Sequence, residues 1–258
     1  MPQDPFMLEI CVDSLESACA AERGGANRIE LCSALVEGGI TPSAGLLTMV
    51  RKKLSIGICM MVRPRGGDFL YSDLEFEQMR EEIRLAKGEG ADGVVLGILD
   101  RNGRVDVART QQLVELAAPL PVIFHRAIDM TPNLIESLED VIATGADRIL
   151  TSGGLNSVSQ AIDTIAALVQ KAGSRITIMP GSGIRPDNIA LLAESTGARE
   201  FHASARTTYP SPMLFRKPGV CLSDVPERDF LNHVADEETV RRLSRELQCS
   251  AQHGVTSL

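Results

Sequence analysis

Short runs of apolar and β-branched residues alternate with longer amphipathic stretches from one end of the chain to the other. The short runs fall at 8–11, 28–32, 56–63, 93–99, 121–126, 148–151, 175–180 and 200–204, and each reads as a strand. The stretches between them carry helix signals. Thr41-Pro42 and Thr131-Pro132 put a hydroxyl before proline, as at an N-cap followed by N1, and Ser72 with Glu75 has the spacing of a capping box. A second regularity is the return of Gly-Ala before every even-numbered strand: Gly25-Ala26-Asn27, Gly90-Ala91-Asp92, Gly145-Ala146-Asp147 and Gly197-Ala198-Arg199. Glycine there supplies a left-handed helix end, and the recurrence suggests a repeat of two βα units.

Eight such units in about 250 residues predict an α/β chain folded as a single (β/α)8 TIM barrel. An open, doubly wound sheet is the rival, but it calls for a glycine-rich turn after its first strand, and Cys11-Val12-Asp13-Ser14 is none. The expected barrel core covers 8–206. From 207 to 258 the pattern lapses into an irregular loop, rich in Pro and Ser to about Pro226, and then a closing helix at 236–247. No second domain is visible.

Composition narrows the function classes. The 258 residues are 44% hydrophobic but only 3% aromatic, with no Trp, so the core is built from aliphatic residues and stacking platforms for nucleic acid are scarce. A net charge of −8, without long basic clusters, also argues against nucleic acid. No run approaches the roughly 20 apolar residues that span a bilayer, and Met1-Pro2-Gln3-Asp4-Pro5 lacks the blocks of a signal peptide, so no membrane partner and a cytoplasmic location are expected. Cys11, Cys19, Cys32, Cys59, Cys221 and Cys249 form no Cys-x-x-Cys pair and are expected to be free thiols.

A barrel gathers its chemistry at the rim where strands end. Glu9 with Cys11, and Glu30 with Cys32, stand two apart on the first two strands, so each pair shares a face. Leu8, Ile10, Ile29 and Leu31 take the face under the helices, which turns the Glu and Cys residues inward. Buried carboxylates require partners, and Arg63 and Arg65 beyond the third strand offer forked guanidinium groups. His125 with Asp129, and His202 with Ser204 and Arg206, add proton-carrying and anion-binding groups. Gly181 and Gly183 after the seventh strand, next to Ser204 and Arg206, have the placement of a barrel phosphate cradle. Each has a plainer reading: Glu9, Glu30 and Arg63 as a buried ion-pair layer, His125 as a satisfied core histidine, the cysteines as small apolar fillers.

Several segments are long enough to carry a resemblance. Glu9-Ile10-Cys11, Arg28-Ile29-Glu30-Leu31-Cys32, Arg63-Pro64-Arg65-Gly66-Gly67-Asp68-Phe69, Phe124-His125-Arg126-Ala127 with Asp129, Leu150-Thr151-Ser152-Gly153 and Phe201-His202 with Ser204 resemble the CutC family of copper homeostasis proteins over residues 8–216. The resemblance implies a TIM barrel, a cytoplasmic location, a homodimer or larger homo-oligomer, and a role in copper handling, with Cu(I) on the cysteines that match Cys11 and Cys32. It also brings Ser152 among the candidate substrate-binding residues. Ala203 stands where some relatives carry a further cysteine.

Two functions follow as expectations. As a binding protein, the chain holds Cu(I) through Cys11 and Cys32, since soft thiolates select that ion; no cofactor is demanded by the sequence itself. As an enzyme, it admits a small phosphorylated or carboxylated substrate, with Arg63 and Arg65 as the clamp, Glu9 or Glu30 as base and His125 as proton carrier. A scaffold acting through its oligomer interface is the third.

Overall fold

The computed structural model describes residues 6–221, 225 and 228–253; the Met1-to-Pro5 segment and Pro226 lie outside them. Eight parallel strands, each followed by a helix, form a nearly closed barrel. The strands are β1 (Met7–Val12), β2 (Arg28–Leu31), β3 (Gly57–Met61), β4 (Gly93–Leu96), β5 (Val122–Phe124), β6 (Arg148–Thr151), β7 (Thr177–Pro180) and β8 (Glu200–Ala203). The helices are α1 (Leu15–Arg23), α2 (Ala44–Lys53), α3 (Asp73–Gly88), α4 (Val107–Ala117), α5 (Leu134–Thr144), α6 (Ile162–Ala172), α7 (Ile189–Thr196) and α8 (Glu237–His253). Pairing runs in order from β7 back to β1 and on to β8. β7 and β8 meet through one isolated bridge, Gly181 to His202, so the barrel has a seam there.

The expected division of faces holds. Leu8, Ile10, Ile29 and Leu31 belong to the large apolar cluster between strands and helices, whereas Cys32, Cys59, Met61, Val95, Ile123, Leu150 and Met179 form a separate cluster inside the ring. Register sets Cys11 beside Glu30, and Glu9 beside both Arg28 and His202, so the inward residues of β1, β2 and β8 share one neighbourhood.

The Gly-Ala repeat has a structural reason. Gly25, Gly90, Gly145 and Gly197 all lie in the left-handed region, with φ of 91°, 81°, 81° and 72°. The residue after Gly-Ala then latches the preceding strand: Asn27 Oδ1 accepts from Leu8 N–H, Asp92 from Ile58 N–H and Asp147 from Val122 N–H, at 2.8, 2.9 and 2.8 Å. The fourth unit carries Arg199, which offers no such latch; its backbone carbonyl accepts from Met7 N–H at 2.9 Å and closes the ring, as Asn27 O and Asp147 O accept from Gly57 and Thr177 N–H of the strands that follow.

Three expectations need correction. α2 is capped by Ser43 and α5 by Asn133, each two residues beyond the Thr of the Thr-Pro pair. Thr41 instead bonds Glu82 and accepts from Arg63 N–H, and Thr131 turns its hydroxyl to Ile128 O. The Ser72–Glu75 box forms as expected. The segment after 206 is not all irregular: β9 (Arg206–Pro210) pairs antiparallel with β10 (Leu231–Ala235). All of β9 is exposed, so it lacks the apolar alternation by which strands are read. The closing helix appears as α8, capped by Asp236, which accepts from Thr239 N–H at 2.8 Å.

Candidate functional site

The deepest inward layer is ionic. Arg28 Nε donates to Glu9 Oε2 at 2.5 Å and its Nη2 to Glu200 Oε2 at 2.7 Å, while Arg148 Nε reaches the same Glu200 carboxylate at 2.9 Å. All three of Arg28, Glu9 and Glu200 are buried. The remaining oxygen of Glu9 meets His202 Nδ1 at 2.7 Å. Burial works to raise the Glu9 carboxyl, but Arg28 and His202 outweigh it and hold the pKa at about 2. Glu9 is therefore an anion with both oxygens engaged beneath the mouth, a poor base for anything entering from above.

One storey higher, a donor atom each from Cys11, Glu30 and His202 come within 4.8 Å of one another. Because Nδ1 of His202 faces Glu9, Nε2 faces this group, 3.9 Å from Glu30 Oε2. Burial disfavours the imidazolium, but Glu30, Cys11 and Glu9 more than offset it, and the His202 pKa rises well above its ordinary value. The Glu30 carboxyl is pushed up by burial and by the charge of Glu9. Its Oε1 is buried without a hydrogen-bond partner. Cys11 is half-buried and lines the open space above, whereas Cys32 lies sealed behind Glu30 and donates to Glu30 Oε2 at 3.4 Å. Burial, with the Glu30 carboxylate beside it, raises the Cys32 thiol well above the usual thiol value. The structure thus joins Cys11 to a carboxylate and an imidazole, with Cys32 behind them.

The arginines after β3 are occupied elsewhere. The Arg63 guanidinium donates to Glu37 O, Gly39 O and Gly67 O at 2.7, 2.9 and 2.9 Å and lies over the Phe69 ring, pinning the loops after β2 and β3. It pairs with neither Glu9 nor Glu30. Arg65 bonds Asp68, Glu75 and Leu70 O and stands outside the cavity wall. Asp129 is also committed: its carboxylate accepts from Thr151 Oγ1 and from the N–H groups of Ser152 and Gly154, and it pairs with Arg126. Ser152 Oγ, 2.8 Å from Asp129 and 2.9 Å from Arg126, completes that knot.

Above the floor opens a cavity of about 1160 Å³. Gly183, Ser204 and Arg206 line it; Gly181 does not, and a Cβ there would come 2.5 Å from Leu150 Cδ1. His125 belongs to the wall. Its Nδ1 accepts from Ala127 N–H at 3.2 Å, which assigns the proton to Nε2, and Nε2 is buried with no partner. Burial and then the Arg63 charge push its pKa down to about 3, so the ring is neutral at ordinary pH.

That depression carries a sign. The unfolded chain takes up a proton at His125 below about pH 6.5 while the folded chain does not until about pH 3, so the unfolded state binds more protons in between. The contribution is fully present above the upper value and is lost as pH falls, with a slope approaching about 1.4 kcal/mol per pH unit. Urea denaturation between pH 4 and 6.5 should show a shallower slope in His125→Asn than in the parent; equal slopes would contradict the assignment.

Arg28, Arg148 and Glu200 went unnoticed in the sequence. For Arg28 a signal existed: it stands two before Glu30 and four before Cys32, on the same inward face.

Comparison with known proteins agrees with the barrel. The model of the CutC family matches residues 6–207. A CutC family protein of Chromobacterium violaceum is 48% identical over 241 residues, covering 93% of this chain and 98% of that protein. The human copper homeostasis protein cutC homolog is 47% identical over 240 residues, covering 93% of this chain and 88% of its own. Among solved structures, the copper homeostasis protein CutC of Streptococcus agalactiae superposes with a TM-score of 0.74 at 35% identity, covering 77% of this chain and 98% of that one.

Proposed function

The chain belongs to the CutC family, and from that premise we propose that it handles copper by holding Cu(I) at the floor of its barrel mouth, between the Cys11 thiolate and His202 Nε2 with Glu30 alongside. The observation that carries this reading is the meeting of those three donors, on an imidazole already turned the right way by Glu9. A carboxylate on the far nitrogen of a ligating histidine fixes its tautomer and raises its basicity, a recurrent arrangement around protein-bound metals. Sulfur and imidazole nitrogen suit Cu(I), and the unpartnered Oε1 of Glu30 leaves that carboxylate free to lean toward a cation. The names of the human and mouse relatives point to the same cargo. Cys11, Cys19, Cys32, Cys59 and Cys221 are free thiols and no helix among the described residues is long and apolar enough to cross a membrane, which fits a reducing cytoplasmic setting for Cu(I).

Binding must displace protons from Cys11 and His202, so affinity should fall as pH falls. The test is an anaerobic Cu(I) titration against a chromophoric chelator. One equivalent per chain is expected. Glu9→Gln should weaken retention by about ten- to a hundredfold through loss of His202 orientation alone. Copper held undiminished by a Cys11→Ser/His202→Ala double variant, or no copper held by the parent, would overturn the proposal.

A further inference from the structure

The cavity above the proposed copper floor is far larger than an ion needs, and the unpaired groups on its seam side are donors. At about 1160 Å³ it has the capacity of a small-molecule pocket. One side is apolar, formed by Phe69, Leu70, Leu99, Met130 and Ile184. The other is the lip of the seam between β7 and β8. There the strands diverge beyond the Gly181–His202 bridge, and the N–H groups of Gly183, Ser204 and Ala205 donate to no group among the described residues. Arg206 follows directly on that lip, exposed and without an ion pair among the described residues.

Glu30, with its unpartnered Oε1, belongs to the floor. The acids higher on the wall are largely spoken for. Asp68 accepts from Arg65 and Leu70 N–H, Asp100 from the N–H groups of Asn102 and Arg104, and Asp129 holds the knot already described. Glu37 sits on the loop after β2, away from the seam in the strand order. The groups left to act on a ligand are therefore donors and a cation, in a chain whose net charge is −8.

We propose that the barrel mouth binds a small organic oxyanion, its phosphate or carboxylate head on the N–H groups of Gly183, Ser204 and Ala205 with Arg206, and its body against the apolar side at Phe69 and Ile184. Backbone N–H groups beside a guanidinium satisfy oxyanion lone pairs as side-chain hydroxyls cannot. The site shares the cavity with the copper floor but uses none of its ligands, so neither assignment depends on the other.

Isothermal titration of the metal-free full chain with ribose 5-phosphate, ribonate, ribose and inorganic phosphate is the test. The phosphorylated or the carboxylated sugar should bind, the difference between the two naming the head group, and neutral ribose should not. Arg206→Ala and Ser204→Gly/Arg206→Ala should each weaken binding by about tenfold or more; both side chains are exposed, Ser204 just before β9 and Arg206 at its start, so neither change empties the core. Inorganic phosphate should bind more weakly than ribose 5-phosphate, because it lacks the body that packs on the apolar side. Failure of both anionic sugars to bind at about 10 mM, or binding indifferent to Arg206→Ala, would overturn the proposal. Ribose binding as well as its anions would likewise overturn it, by removing the oxyanion head.

Discussion

Arg28→Met should destabilise the protein by about 3–5 kcal/mol, a large share of the roughly 5–15 kcal/mol available to a whole domain. One guanidinium bridges two carboxylates on neighbouring strands, Glu9 on β1 and Glu200 on β8, with side-chain exposures of 9%, 1% and 11% for the arginine and the two acids. Methionine fills similar volume, so the loss is electrostatic. Glu200 retains Arg148, which is partly exposed, and Glu9 retains only His202. The direction of each shift says where the energy goes. Glu9 is held near 2 chiefly by Arg28 against the opposing effect of burial, and without it that burial raises the carboxyl. The variant should therefore lose stability most steeply at neutral pH and recover part of it in acid, as the orphaned carboxyl takes up a proton. Urea denaturation at pH 7 and pH 5 checks both statements, and Arg28→Met/Glu9→Gln should be more stable than Arg28→Met alone. A loss under about 1 kcal/mol at pH 7 would show that the layer matters little.

Cys11→Ser and Cys32→Ser should part company in copper affinity. Losing one ligand of a structural-type site costs on the order of 3 kcal/mol, so Cys11→Ser should lower Cu(I) affinity by about two orders of magnitude. Cys32→Ser should fall within about threefold of the parent, because its sulfur is sealed behind Glu30 and its thiol is held protonated by burial and by that carboxylate. Competition titration with a Cu(I) chelator, each variant at equal folded concentration by circular dichroism, reads the contrast directly. Equal losses from the two serines would restore a two-thiolate site and remove His202 from the ligand set.

Much of this architecture was legible along the chain. The eight strands occur where the short apolar runs stand, because parallel strands covered by helices need near-continuous hydrophobicity, and a period of two decided which of Glu9 or Ile10 turned inward. The partners were harder to read. Arg63 and Arg65 looked like counter-ions since they are arginines near a strand end, yet loop carbonyls and local acids claimed them first. Arg28 opens its strand and was read only as its beginning, although its parity with Glu30 placed it inside. His202 was read as an anion ligand; its pairing with Glu9 depends on β8 closing against β1, a register that no local pattern encodes. β9 and β10 escaped notice because an exposed ribbon shows no alternation, and its two halves are separated by the whole of the loop between Pro210 and Leu231.

The latches after Gly-Ala bear on how the nascent chain acquires its shape. Asn27, Asp92 and Asp147 each reach back only 19, 34 and 25 residues, so the first three pairs of units can be clasped soon after they leave the ribosome. Ring closure is of another order, since Arg199 must find Met7, 192 residues before it. Until that happens the outer edge of β1 stays open and Glu9 waits without His202, so the cluster of Cys11, Glu30 and His202 is assembled only after the eighth strand has been made.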